Sequence, residues 1–395
     1  MKKHFHDMKN NLYIFAAALL LCSAASAQVR HEMQIPDIEG YKTLVGDMHI
    51  HTVFSDGTVW PTTRVEEAVW EGLDFLCITD HVDGRLQKYI NNGYFNPEKI
   101  DRNTSWKLAE KHAKGSGLLI VRGCEITSQI MPPGHINATF IKDNNPIGEA
   151  MDAPGRDNQP KGSLDATRVA GSQGAFLTWN HPHWCRQAPD KTVIYKEHEN
   201  LVKEGLMDAV EIYNWWEGYS PEAHRWAVKR SLAVVSGTDS HHPMFMDIDF
   251  FSGELRPVTL VFAKEKSLGA LREGLDAHRT AVFADGCVYG PKELILPLLE
   301  SCLQIESVVK TEKSLKINIY NRSSIPVTLD KAKGSEQWQL TRHFTINPFE
   351  HYTIILYRLD KNDPLGVNSF DLHYTVANFF VDADVKLDYL LHIDK

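Results

Sequence analysis

Asp47-Met48-His49-Ile50-His51-Thr52 ends a short apolar run, and Ser55-Asp56-Gly57 follows closely. Two imidazoles at i and i+2 can meet one cation if the backbone kinks as it leaves a strand. The arrangement recurs along the chain. Asp80-His81 ends the run Leu73–Thr79, Glu125 follows Leu118–Gly123, Asn180-His181-Pro182 follows Ala175–Trp179, and Asp239-x-His241 ends Leu232–Thr238. Each group stands where a hydrophobic run stops. Neutral imidazoles and anionic carboxylates together suit divalent cations, so these groups predict one polynuclear metal site.

The segments around these groups set the fold class. Thr63–Leu73 reads as a helix, with Thr63 and Glu66 as a capping box, Val65, Ala68 and Val69 on one face, and Gly72 as the stop. Leu73–Ile78 reads as a buried strand, Pro97–Lys114 as a second helix and Leu118–Val121 as the next strand. Ala175–Trp179, Ala209–Tyr213, Leu232–Ser236, Val258–Phe262 and Thr280–Phe283 continue the series. Alternation of this kind places strands parallel, with helical crossovers between them. About seven such strands predict an α/β fold, a distorted (β/α)7 barrel, in which functional groups gather at the C-terminal strand ends.

Two segments break the pattern. Asp143–Lys161 lacks periodicity and reads as a long surface loop. Beyond residue 297, Leu315–Tyr320, Ser324–Leu329, Phe344–Ile346, Tyr352–Tyr357, Phe370–Val376 and Val385–Ile393 alternate apolar and polar positions. They predict a small C-terminal antiparallel β-sandwich with a structural or assembly role. The domain reading is therefore 1–27 leader, 28–297 barrel and 298–395 β-sandwich.

The 395 residues carry a formal charge of −9 and no dense Lys/Arg run, which argues against nucleic acid as a partner. A small phosphorylated substrate held by metal ions is compatible with that sign. Lys2, Lys3 and Lys9 precede the apolar stretch Leu12–Cys22, and Ala25-Ser26-Ala27 gives a cleavage site. The expectation is export, periplasmic or secreted, after cleavage near Ala27, with no stable membrane insertion because the apolar stretch is short. Leu21 before Cys22 fits a lipoprotein signal poorly. Loss of Cys22 with the leader would leave Cys77, Cys124, Cys185, Cys287 and Cys302, an odd set without paired spacing that argues against a disulfide framework. Cys185 lies beside His183 but has no visible activating arrangement for a nucleophile.

The candidate ligands are His49, His51, Asp56, His81, Glu125, His181, Asp239 and His241. His135 joins them on residue type, although it precedes its run, Ile136–Ile141. The Asp-x-His spacing favours His241 over His242. Asp47 and Asp80 are candidates for orienting imidazoles by hydrogen bonds. His183, Arg186 and Asn214 stand next to ligand-bearing strand ends and are candidate substrate-binding residues.

In the order Gly46–Thr52, Ser55–Gly57, Ile78–His81, Gly123–Glu125, Gly134-His135, Asn180–Pro182 and Gly237–His241, the chain resembles the polymerase and histidinol phosphatase (PHP) superfamily of metal-dependent phosphoesterases. The leader, Arg279–Phe283 and the β-rich tail are similar to the secreted Sb-PDE-type phosphodiesterase branch. The resemblance implies three divalent ions of Mn, Zn or Fe type. His49, His51, Glu125 and Asp239 would hold the first; Glu125, His135 and His181 the second; Asp56, His81 and His241 the third. It also implies hydrolysis of a phosphate ester, most simply a phosphodiester. The nucleophile would be a hydroxide bridging two ions about 3.5–4 Å apart, with no dedicated protein base.

The competing readings are a phosphomonoesterase, an amidohydrolase or lactonase on a similar barrel, and an exported metal-storage or adhesion module. No Lys stands at a strand end in the series to supply a bridging carbamate for the amidohydrolase reading. A storage or adhesion module has no need of nine convergent ligands.

Overall fold

The computed structural model describes residues 32–394, apart from 84–100, 128–131, 153–159, 185–190, 312–313, 333–337, 340 and 359–368. The leader and Arg186, Cys185 and the start of the helix expected at Pro97 lie outside the described residues.

The barrel strands are β1 (Lys42–Asp47), β2 (Phe75–Ile78), β3 (Leu119–Ile126), β4 (Ile136–Thr139), β5 (Phe176–Trp179), β6 (Ala209–Asn214), the short β7 (Gly218–Tyr219), β8 (Ala233–Gly237), β9 (Val258–Ala263), β10 (Thr280–Ala284) and β11 (Cys287–Tyr289). β1, β2 and β3 pair parallel, as do β5, β6 and β8. The expected α/β barrel is therefore present, with two reversals. β4 runs antiparallel to both β3 and β5, and β9 runs antiparallel to β1. Residues 127–135 between β3 and β4 are too few for a helical crossover, which needs a dozen or more. β4 must return beside its neighbour.

The helices differ locally from the sequence reading. The first runs Pro61–Trp70, with Pro61 at its start and no side-chain cap, so Thr63 lies inside it and the capping box does not form. Its end follows expectation. Gly72 has φ +77, in the left-handed region suited to a helix stop, and the Leu73 N–H donates to the Ala68 carbonyl at 2.9 Å. The second described helix is Thr104–His112. Asp143–Lys161 is not a plain loop. It contains the helix Asn145–Met151 and the start of Pro160–Ser172, and the Asn144 side-chain amide anchors the first by donating hydrogen bonds to the Arg102 and Gly123 carbonyls.

The ring closes at the rim that carries the candidate ligands. Beyond β9, the segment after β1 pairs with the segment after β8 through an Ile50–Ser240 bridge. The Thr259 hydroxyl accepts from Ser236 N (2.8 Å) and donates to Ser236 O (3.0 Å). Buried charge fastens the same rim. Asp47 accepts from His49 N, Thr238 N and Thr238 Oγ1, and the Arg256 guanidinium bridges Asp47 (3.2 Å) and Glu71 (2.6 Å from Nε). Arg64, also buried, donates to the carbonyls of His51 (3.0 Å) and Ser240 (2.9 Å).

After the helix Lys292–Cys302, which continues past residue 297, come β12 (Leu303–Lys310), β13 (Ser314–Asn321), β14 (Val327–Lys331), β15 (Trp338–Gln339), β16 (His343–Ile346), β17 (His351–Arg358), β18 (Ser369–Asp382) and β19 (Val385–Asp394). They form two antiparallel sheets, β12-β13-β17-β15 and β16-β14-β18-β19. The second joins the barrel sheet, because β18 pairs parallel with β11 at Val288–Phe379 and Tyr289–Phe380. One hydrophobic core accordingly runs from Leu260 and Phe262 through Ile295 and Leu298 to Ile317 and Leu329.

Removal of Arg256 leaves Asp47 and Glu71 buried without their shared cation. Arg256→Met is expected to lower the unfolding free energy by about 3–5 kcal/mol. Urea unfolding of the full chain followed by circular dichroism measures it.

Candidate metal centre

The strand ends converge on one cavity of about 340 Å³. Three donor groups gather there: His51, Asp56, His81 and His241; His49, His51 and Asp239; and Glu125, His135 and His181; all but the buried His49 and His51 line the cavity. All nine sequence-selected ligand candidates are thus brought together. His135 arrives by the reversal of β4, whose N-terminal end lies beside the C-terminal ends of β3 and β5. The Asn180 N–H donates to the His135 carbonyl at 3.0 Å, locking that neighbour relation. His242 stays outside the donor groups, its ring 3.6 Å from Asp247.

Glu125 is the centre of the arrangement. Its Oε1 lies 2.9 Å from His135 Nδ1, 3.4 Å from His181 Nε2 and 3.6 Å from His49 Nε2. Its Oε2 lies 2.6 Å from His81 Nδ1 and 3.5 Å from His51 Nε2. Asp239 Oδ1 approaches His51 Nε2 (3.0 Å) and His49 Nε2 (3.3 Å), while Asp56 approaches His81 and His241, each at 3.2 Å. The backbones of His181 (φ 29) and Asp239 (φ 52) occupy the left-handed region, a strained conformation that points these two side chains inward.

The electrostatics divide the imidazoles. Burial, with His241 and His81 nearby, pushes His51 down to about 4, and burial likewise takes His135 to about 4. At His49 burial opposes charge, but Asp239, Glu211 and Glu125 outweigh it and lift the group to about 10. Burial also works against ionisation of Glu125, yet His81 and His135 hold it well below the usual carboxylate range. Glu125 Oε2 is buried and makes no hydrogen bond despite the imidazole nitrogens around it. Such crowded nitrogen and oxygen donors, of which only some meet in hydrogen bonds, fit shared divalent cations that would replace the imidazolium proton of His49.

The supporting contacts depart from the sequence reading. Asp47 and Asp80 do not orient imidazoles. Asp47 holds backbone, as described, and Asp80 accepts from Thr52 N, Thr52 Oγ1, Ser55 Oγ and Ser105 Oγ, which shapes the loop carrying Asp56. The imidazoles find other partners. Glu211 Oε1 lies 3.3 Å from His49 Nδ1, Ser55 Oγ lies 3.2 Å from His51 Nδ1, and the Asp239 carbonyl lies 2.7 Å from His241 Nδ1. Each of these leaves the Nε2 of its ring turned to a carboxylate of the donor groups, Asp239 for His49 and His51 and Asp56 for His241.

Glu211 was not selected from the sequence, although a lone acid inside the apolar strand Ala209–Asn214 was the available signal. Its other oxygen accepts from His181 N at 2.7 Å. Asn214, expected to touch substrate, is buried instead. Its amide donates to Glu211 (3.2 Å), its carbonyl accepts from Trp216 N (2.9 Å), and it does not line the cavity. His183 is partly exposed and likewise not among the lining residues, whereas Trp184, Trp216 and Glu217 are. Cys77, Cys124 and Cys302 are buried free thiols.

Loss of the Glu211 carboxylate frees the His49 ring to turn. Glu211→Gln is expected to weaken metal affinity about 10- to 100-fold with the fold retained. Competitive chelator titration with circular dichroism on the same sample checks both halves.

The comparisons accord with this geometry. Residues 47–204 match the PHP domain and residues 303–392 an Ig-like domain. No curated protein is significantly similar to the chain. The crystal structure of a two-domain protein from Bacteroides vulgatus ATCC 8482, containing a predicted PHP-like metal-dependent phosphoesterase, is 37% identical with a TM-score of 0.82. That match covers 93% of this chain and 100% of the other. A candidate metal-dependent phosphoesterase from Bifidobacterium adolescentis ATCC 15703 is 18% identical over 50% of this chain and 87% of its own, with a TM-score of 0.34. Full-length similarity to the Bacteroides protein, together with the PHP match, establishes that the chain belongs to the PHP family of metal-dependent phosphoesterases.

Proposed function

We propose that this protein is an exported phosphodiesterase working with three divalent ions of Mn, Zn or Fe type on a small phosphorylated substrate. The observation that carries the reading is Glu125, one buried carboxylate within 3.6 Å of His49, His51, His81, His135 and His181. His49, His51, Glu125 and Asp239 would hold one ion, Glu125, His135 and His181 a second, and Asp56, His81 and His241 a third. His51 also belongs to the third donor group by distance, so it stands between two of the positions.

Divalent ions at these positions supply Lewis-acid polarisation of phosphoryl oxygens and activation of water near neutral pH. The chain's own contribution is positioning. Glu211, Ser55 and the Asp239 carbonyl fix the orientations of His49, His51 and His241, while Asp239, Asp56 and Glu125 offset cationic charge in a confined space. Trp184 packs on His135 at 4.8 Å between ring centres and forms the cavity wall on that side. The preference for a diester rests on the room beside the donor groups, where Trp184 and Trp216 offer walls to a second ester substituent. Export rests on the leader at residues 1–27.

Mature protein is expected to hydrolyse bis(p-nitrophenyl) phosphate faster than p-nitrophenyl phosphate, to lose both activities on chelation, and to regain them with Mn or Zn. Glu125→Ala should lower turnover by more than about a hundredfold, beyond the effect of losing an outer hydrogen-bond partner. Faster hydrolysis of the monoester would make it a phosphatase. Turnover of neither, with about three ions bound by elemental analysis as expected for donors of this type, would direct attention to lactones and amides.

A further inference from the structure

Three residues line the site cavity without belonging to any donor group: Trp184, Trp216 and Glu217. Trp184 lies over the His135 and His181 side, with ring centres at 4.8 and 5.5 Å. Trp216 follows β6 on the Asp239 side. It is 52% exposed, yet its backbone N–H donates to Asn214 Oδ1 (2.9 Å) and its indole Nε1 to the Asp239 carbonyl (3.0 Å). An exposed indole fastened at both ends buries little apolar surface for the fold. Its rigidity instead keeps an aromatic surface presented at the cavity.

Glu217 completes the set. Its carboxyl is half-buried in the same cavity, where burial holds it above the ordinary carboxylate range despite His181 and His183 nearby. Among the described lining residues there is no Lys or Arg and no side-chain amide. Indole faces also stack nucleobases, but beside them the described wall supplies acidic acceptors and no cationic or amide donor for a base edge. A purely aliphatic substituent gains nothing from a carboxylate. Aromatic faces beside an acid suit an organic cation, which is drawn to the ring quadrupole and to the negative charge together.

We propose that Trp184, Trp216 and Glu217 form a subsite for the ammonium group of an amino-alcohol phosphodiester. The proposal rests on the phosphodiesterase reading above and adds a substrate class to it.

The test compares p-nitrophenyl phosphocholine with p-nitrophenyl 3,3-dimethylbutyl phosphate, which has the same shape with carbon in place of the charged nitrogen. With the metal-loaded full-length mature protein, kcat/KM is expected to favour the choline ester about tenfold, chiefly through KM. Glu217→Gln should collapse that ratio towards one. Trp216→Leu should reduce it, and Trp216→Phe should restore most of it, a rescue that a purely structural role would not produce. Equal efficiency on the two esters overturns the proposal. So does a higher efficiency on p-nitrophenyl thymidine phosphate that Glu217→Gln leaves intact, which would mark a nucleobase subsite. Quenching of tryptophan fluorescence by glycerophosphocholine, against its neutral isostere, reads the subsite without turnover. Selective quenching in a protein that cleaves no phosphodiester would keep the subsite and remove the phosphodiesterase reading; unselective quenching would remove the subsite.

Discussion

Everything at the rim depends on the way two strand ends are tied together by buried charge. The segments after β1 and β8 carry His49, His51, Asp239 and His241, and no full strand ladder joins β1 to β8. Asp47 and Arg64 do that work from inside the protein, bonding to N–H groups and carbonyls on both segments, and Arg256 holds the Asp47 carboxylate in place. Ions withdrawn from water are costly unless each is paired and hydrogen-bonded. Here the pairing is dense: Arg256 spans Asp47 and Glu71, and Arg64 spans two carbonyls and Glu67. Such a network has few alternative arrangements, so the imidazoles it supports are held in place before any cation arrives. Gly237 shows how tight the join is, since a Cβ there would lie 2.3 Å from His49 Cβ and 2.6 Å from Glu211 Oε1.

Glu125 converts this rigidity into chemistry. A single carboxylate among five imidazoles is strongly stabilised as the anion, and two of those rings are correspondingly set in opposite directions, His49 towards the charged form and His51 towards the neutral one. A site in that condition binds cations in exchange for protons.

Much of this was legible in the sequence because the ligands sit where hydrophobic runs stop, and a barrel collects its strand ends. What escaped followed from features that periodicity does not carry. His135 looked misplaced because strand direction is invisible in an apolar run; only the shortness of residues 127–135 hinted at the reversal. Asp47 and Asp80 were placed beside the correct histidines, but a carboxylate at a strand end is as well suited to backbone N–H groups as to imidazoles. Asn214 was adjacent in sequence to the site and turned inwards in space. Thr63 met the pattern of a cap, yet Pro61, pre-set for a first helical turn, started the helix earlier. Arg64 and Arg256 gave no signal at all, since an arginine on a helix or in a loop is ordinarily solvated. β12 was passed over because its face is largely exposed and lacks a clean alternation.

The pairing of β11 with β18 has a consequence for how the barrel and the tail can move. A flexible joint between domains needs a place where only one strand of chain crosses. Here the sheet itself crosses, with Tyr219, Tyr289 and Phe380 stacked through the junction at 4.4 and 5.3 Å between ring centres. The tail is thus a splint for the last barrel strands, not a tethered appendage. A chain cut short before β18 would uncover the hydrogen-bonding edge of β11, and uncovered edges invite association with other chains. The Ig-like region therefore guards the solubility of the much larger barrel.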